Sequence, residues 1–212
     1  MLAGVYGAGK TSVYQRTVAR LVKDGCQSLV SMPQAATITT HTYAPGQPHD
    51  HAANILSWLK TLTAFLEEID RRFQASTLPH HRFAPAWTPT CVLEGLGFDA
   101  PIYGLPLDRA LLRDIEQRLG DLGLHLVLLR VPDHRIRTQC VESTRLHRGP
   151  KWARYLESFG ACDAARAEHI GRVQDELMRW AQTSPLPLSI IDTATQDWNI
   201  YAGELPTFST KD

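Results

Sequence analysis

The sequence predicts an α/β fold, a parallel sheet with helices packed on both faces, and three observations predict it. Short apolar runs alternate with longer amphipathic stretches along the whole chain, the order that parallel strands joined by crossover helices require. The first apolar run ends in the glycine-rich turn Gly4-Val5-Tyr6-Gly7-Ala8-Gly9-Lys10-Thr11-Ser12, which leads directly into an amphipathic stretch. At 212 residues, the chain is long enough for one domain with a substantial core. Right-handed crossovers then bring the C-terminal ends of all strands to one edge, where ligands bind in such sheets.

The elements follow in order. Residues 1–5 read as a short strand and 10–23 as a helix, with Val13, Val18, Leu21 and Val22 near helical spacing and Asp24-Gly25 as the stop. CQSLVSM reads as a second strand, halted by Pro33, and the Thr-, His- and Pro-rich stretch 34–48 as a loop. In HAANILSWLKTLTAFLEEIDRRF, Ile55, Leu59, Leu62, Leu66 and Ile69 form the apolar stripe of a long helix. A Pro- and His-rich connector leads to a third strand, TCVLEG, then a helix over LDRALLRDIEQRLGDLG and a fourth strand, LHLVLLRVP. Residues 133–182 read as helical, broken at HRGPKW and at Gly160. LPLSIIDTA is a fifth strand, DWNIYAGEL starts a closing helix, and the last residues are expected to fray.

Composition narrows the function classes. Lys plus Arg and Asp plus Glu both number 22, so the formal net charge is zero, and no global basic field invites duplex nucleic acid or an acidic membrane surface. No run approaches the ~18 apolar residues of a membrane span. No signal peptide is expected, because Lys10 and the glycines interrupt the N-terminus. Cys26, Cys91, Cys140 and Cys162 lie far apart with no CxxC pair, a pattern that suits reduced thiols in a cytoplasmic protein. The histidines of TTHTY and PHDH fit no common ligand spacing. Nothing in the pattern excludes a homodimer.

Gly4 to Thr11 fits G-x-x-x-x-G-K-[ST]. Glycines let backbone N–H groups turn inward as an anion nest, and a helix starting near Lys10 points its positive end at the same place. Gly4, Tyr6, Gly7, Ala8, Gly9, Lys10, Thr11 and Ser12 are therefore the candidate nucleotide-binding residues. Lys10 supplies a charge for the outer phosphates, and Thr11 a hydroxyl for Mg²⁺.

With this loop, its length and its strand–helix alternation, the chain resembles a phosphate-loop kinase of the nucleoside monophosphate kinase and deoxynucleoside kinase group, with thymidylate kinase nearest in shape. The resemblance covers nearly the whole chain, and only the loop is sharply diagnostic. No N-K-x-D guanine signature is present. The resemblance implies a P-loop NTPase three-layer sandwich: a five-stranded parallel sheet with helices on both faces and a short arginine-bearing lid over about residues 137–155. It implies ATP and Mg²⁺ as cofactors and a small-molecule phosphoryl acceptor. Glu94, which ends CVLEGLGFD beside Gly95 and Gly97, corresponds to a strand-end acid that orders the Mg²⁺ shell or takes a proton from the acceptor. In RIRTQCVESTRLHRGPKWARY, Arg145 and Arg148 are the lid arginines expected to neutralise the moving phosphoryl group, with Gly149-Pro150 as a bend. Thr193 and Ala194, after the fifth strand, correspond to the loop that packs on the base; the plainer reading is a turn capped by Asp192.

The acceptor is expected across the sheet edge from the nucleotide. Gln34, Tyr43, Trp58, Arg71, Phe98, Asp99 and Tyr103 are its candidate walls, the aromatics to sandwich a ring and Arg71 to hold a phosphate. One departure stands out. Where deoxynucleoside kinases carry a carboxylate after the second strand, this chain has SMPQAAT, with Gln34 and no acid. A nucleoside monophosphate or nucleoside is the expected acceptor. A hydroxyl-bearing metabolite or antibiotic-like compound is the alternative within the enzyme class, and a regulatory ATPase without an acceptor is the alternative outside it.

Overall fold

The computed structural model describes residues 1–34, 48–95, 97–98 and 100–205, without the side chains of residues 48 and 49. The expected alternation is present. Strand β1 (Leu2–Gly4) leads through the glycine-rich turn to helix α1 (Lys10–Lys23), then β2 (Leu29–Met32). The long helix α2 (Pro48–Gln74) follows, then a 3₁₀ turn (Leu78–His80), a helical turn α3 (Ala84–Trp87) and β3 (Thr90–Leu93). A second helical turn, α4 (Ala100–Tyr103), precedes α5 (Arg109–Asp121) and β4 (Leu126–Arg130). Next come α6 (Asp133–Ile136), a π-helical turn (Arg137–Glu142), α7 (Ser143–His147), α8 (Pro150–Glu157) and α9 (Asp163–Thr183). Strand β5 (Leu188–Asp192) and helix α10 (Trp198–Glu204) close the described chain. The fraying expected of the last residues lies outside the described residues.

The sheet is parallel throughout. β1, β4 and β5 form three hydrogen-bonded strands in the order β1-β4-β5, and β2 pairs with β3. Between the two groups runs a single parallel bridge, Leu2 to Glu94, with the Gly95 N–H donating to the Leu2 carbonyl at 2.9 Å. β4 lies between neighbours on both sides, and Leu126, Val127, Leu128 and Leu129 are all buried. That explains its unbroken apolar run, which shows none of the alternation of a half-solvated strand. β2 and β5 each have one described neighbour and are correspondingly more exposed.

Helices hold the sheet by their apolar faces. On α2, Leu59 and Leu62 are buried, with Ile55 and Leu66 packed against the core, so these four residues of the predicted stripe form the packing face, while Ile69 lines a groove at the other end of the helix. Arg118 of α5 grips Glu67 of α2 with two hydrogen bonds, at 2.8 and 2.7 Å. At the end of β4, the buried Gln174 side chain of α9 accepts from the Val131 N–H and donates to the Val131 carbonyl, both at 2.8 Å. That pair satisfies a strand end which would otherwise carry orphaned polar groups.

Candidate functional site

The glycine-rich turn sits at the C-terminal end of β1, on the edge predicted to bind ligands. Gly9 is the residue before α1 and takes a left-handed conformation, φ 87°, with no side-chain cap. The first helical bond in α1 is Val13 N–H to Gly9 carbonyl, 3.0 Å, so the amides of the first turn point out of the helix without an intrahelical acceptor. Gly7 is also left-handed, φ 78°, and a Cβ there would lie 2.7 Å from the Cα of Cys140. A Cβ on Gly9 would lie 2.1 Å from the ring of Trp198. Both glycines are thus required twice, by backbone conformation and by close neighbours.

Lys10 is buried and folds back along the turn, donating from Nζ to the carbonyls of Gly4 at 2.5 Å and Val5 at 3.3 Å. The Thr11 hydroxyl donates to Glu94 Oε1 at 2.9 Å. The two residues are 83 positions apart in sequence, and the bridge between β1 and the end of β3 brings them together. Glu94 is itself buried, 1% exposed. Its second oxygen, Oε2, accepts from the backbone N–H of Gln34 at 3.2 Å. A hydroxyl and a carboxylate side by side are hard oxygen donors. They fit Mg²⁺, which is held by one or two such groups and completed by phosphate oxygens and water. Among the described residues no cluster of three or more His, Cys, Asp or Glu side chains forms a metal site.

The remaining turn residues are fixed by packing. Ala8 is fully buried, and Ser12 accepts through its carbonyl from Arg16 Nη1 at 3.1 Å. Tyr6 points into an aromatic cluster with Tyr103, Trp152, Tyr155 and Phe159, whose ring centroids lie 5.4–6.4 Å away. Its hydroxyl shares a 2.7 Å hydrogen bond with that of Tyr155. Burial, reinforced by Tyr103 and Tyr155, pushes the Tyr6 phenol above its usual range, so Tyr6 stays neutral.

Of the two arginines expected in a lid, Arg148 lies over the Trp152 ring at 4.6 Å. Burial pushes the Cys140 thiol up to about 12, and the nearby charges of Lys10 and Arg148 draw it partly back. Arg145 is committed elsewhere: it forms a forked ion pair with Asp163, which Arg166 also engages. Asp163 is held down to about 2 by Arg145 and Arg166.

Thr193 needs a correction. It is fully buried; its N–H donates to the Arg130 carbonyl at 2.9 Å and its carbonyl accepts from Gln196. Its hydroxyl donates to the same Arg130 carbonyl and accepts from Gln139 Nε2. These bonds make Thr193 a clamp between β4 and β5, with its backbone groups engaged inside the fold. The Ala194 N–H is taken by Asp192 Oδ1 at 2.8 Å, as the plainer reading of a capped turn expected.

Among the acceptor walls, Gln34 and Tyr103 come together beside Glu94, with Gln34 Nε2 donating to the Tyr103 hydroxyl at 3.4 Å. Trp58 is half-buried one residue before Leu59, whose side chain approaches Gly97. Its indole Nε1 has no hydrogen-bond partner among the described residues. Phe98 is 1% exposed and belongs to the core. Arg71 is not at this edge. It sits in the last turn of a 27-residue helix, bound to Glu68, next to Arg72 and Phe73, which line a groove with Leu29 and Val30 at the start of β2. A helix of that length spans about 40 Å, so its two ends serve opposite edges of the sheet. Tyr43 and Asp99 lie outside the described residues.

Three site neighbours were not read from the sequence. Gln139 donates to the Gly7 carbonyl at 3.3 Å from within the π-helical turn, Trp198 covers Gly9, and Tyr155 bonds Tyr6. Each contact depends on long-range placement; Gln139 and Tyr155 lie in the stretch singled out for its arginines, and Trp198 in the DW pair after β5, but nothing local marks them as neighbours of the turn. Compared with known proteins, no family model matches the chain, and no curated protein or solved structure matches it.

Proposed function

We propose that this chain is a Mg²⁺-dependent phosphotransferase that moves the γ-phosphoryl group of ATP to a small molecule, a nucleoside monophosphate or a nucleoside in the first instance. The observation that carries the reading is the Thr11–Glu94 hydrogen bond beside Lys10 at the start of α1. A phosphate-cradling turn, a lysine, a hydroxyl and a carboxylate are the parts that nucleotide phosphoryl transfer needs within a few ångströms of one another. Under this reading the Leu2–Glu94 bridge joins the two strand groups into one five-stranded sheet of order β2-β3-β1-β4-β5, with residues 137–155 as lid.

Lys10 leaves the Gly4 and Val5 carbonyls for the β- and γ-phosphates, which the amides of the turn also hold. Thr11 and Glu94 would hold Mg²⁺, which would supply positive charge to offset that of the departing diphosphate. Arg148 swings from the Trp152 face to the transferring group; Arg145 joins it only by leaving Asp163. Among the described residues no helix is long and apolar enough to cross a membrane.

The test is ADP release from Mg-ATP across a panel of acceptors. Lys10→Ala should lower every positive rate by at least about a hundredfold, the size typical for loss of a preorganised donor to the transferring charge. An unchanged rate in that variant would remove Lys10 from the reaction and the reading with it.

A further inference from the structure

We infer that Gln139 is a positioning residue for nucleotide binding: it fixes the peptide between Gly7 and Ala8 so that the turn offers phosphate its N–H groups and not a carbonyl oxygen. This rests on the phosphotransferase reading above and adds a residue to its machinery. The peptide is held at both ends. Its carbonyl, on Gly7, accepts from Gln139 Nε2 at 3.3 Å, and its N–H, on Ala8, donates to the Val5 carbonyl at 3.3 Å. In a planar trans peptide the two groups point opposite ways, so the two bonds hold one orientation. Gly7 does not enforce it. Without a Cβ, and at φ 78°, it passes between backbone wells that other residues avoid. Turned over, the peptide would lose both bonds and bring the Gly7 carbonyl toward that of Val5, to which Lys10 Nζ also donates at 3.3 Å. An oxygen would then stand where phosphate needs donors, and it would compete for the lysine.

Fold stability alone does not call for a glutamine here. Gln139 is 3% exposed, and its Nε2 donates both to Gly7 and to Thr193 Oγ1, the latter at 3.0 Å. The Thr193 hydroxyl uses its own hydrogen on the Arg130 carbonyl. Both partners of the carboxamide are therefore acceptors, and its nitrogen must face them. Oε1 is left buried with no hydrogen-bond partner among the described residues, which costs folding free energy. What the glutamine provides is the hold on Gly7. The π-helical turn Arg137–Glu142 puts it in place. That turn lies so close against Gly7 that a Cβ there would meet the Cys140 Cα at 2.7 Å and the Gln139 carbonyl at 2.9 Å. Turns of this kind, which widen a helix locally, recur at functional sites.

The test titrates the full chain, Gln139→Met and Thr193→Val with Mg-ATP and, separately, with magnesium tripolyphosphate, which has a phosphate tail and no base. Methionine keeps the unbranched shape and donates nothing. Gln139→Met should weaken both ligands by the same factor, about fivefold or more, the size of one lost hydrogen bond. Thr193→Val removes the carboxamide's other partner and leaves the Gly7 bond, so both affinities should stay within about twofold of the unaltered chain. A loss confined to Mg-ATP, equal losses in the two variants, or an unchanged affinity in Gln139→Met each overturns the inference. Amide exchange followed by NMR on the unaltered chain gives a second reading that needs no variant to fold. The Ala8 N–H should be protected before Mg-ATP is added and remain protected after. Fast exchange in either state would reveal a peptide that is not held, and would overturn the inference as well. Mg-ATP affinity of the unaltered chain separates the failures: with binding intact, these outcomes sink this inference alone, and absence of binding sinks the phosphotransferase reading and this inference with it.

Discussion

The two edges of the sheet are both rich in aromatic side chains, yet they are built to different ends. At the C-terminal edge, the Tyr6 and Tyr155 hydroxyls bond each other, and that of Tyr103 accepts from Gln34, whose N–H in turn reaches Glu94, the partner of Thr11. At the N-terminal edge of β2 and β3, His81, Phe83 and Trp87 stack on one another beside an open groove of about 660 Å³. Its neighbouring cations, Arg71 and Arg72, are exposed and paired with Glu68. This groove is thus away from the glycine-rich turn. Buried polar groups converge at the turn, while the groove is lined mainly by apolar and exposed side chains.

The comparison is broken most severely at Gly9. Gly9→Ala should destabilise the fold by about 1–3 kcal/mol through overpacking against Trp198, and by a further ~1–2 kcal/mol through its left-handed backbone. Chemical denaturation measures the sum. In a Trp198→Ala background the packing share should vanish and the backbone share remain; equal costs in both backgrounds would mean that the ring does not rest on Gly9. A smaller effect sharpens the same edge. Tyr6→Phe removes the hydroxyl shared with Tyr155 and should cost about 0.5–1.5 kcal/mol, again by denaturation. A loss above that range would show the hydroxyl supporting more than one bond, and no loss would detach the turn from α8.

What the sequence made legible was what local chemistry decides. The turn, the start of α1 at Lys10 and the stripe of α2 each follow from neighbouring residues, and each stands where the pattern puts it. Glu94 was legible as a strand-end acid, and the bridge to Leu2 supplies its partner. Long-range placement hid the rest. The π-helical turn at Arg137–Glu142 carries no marker of its own, and Gln139 reaches Gly7 across 132 positions. Trp198 covers Gly9 because α10 lies along α1, where Arg16 Nε donates to Asn199 Oδ1 at 2.8 Å across 183 positions. Arg71 lies away from the turn through simple length: Leu59 and Arg71 share one helix, but the helix passes from one edge to the other. The backbone groups of Thr193 are taken by the β4–β5 clamp, a long-range contact that the turn sequence does not announce.

The central claim, that the turn after β1 holds a nucleoside triphosphate, is tested most directly by calorimetric titration of Mg-ATP into three proteins: the unaltered chain, Lys10→Ala and Arg72→Ala. The account predicts saturable one-site binding to the unaltered chain, the same affinity for Arg72→Ala at the opposite edge, and a loss of about tenfold or more for Lys10→Ala, since one charge-assisted contact contributes about 1.5–3 kcal/mol. Binding that Lys10→Ala leaves intact, or that Arg72→Ala abolishes, would place the nucleotide elsewhere and contradict it.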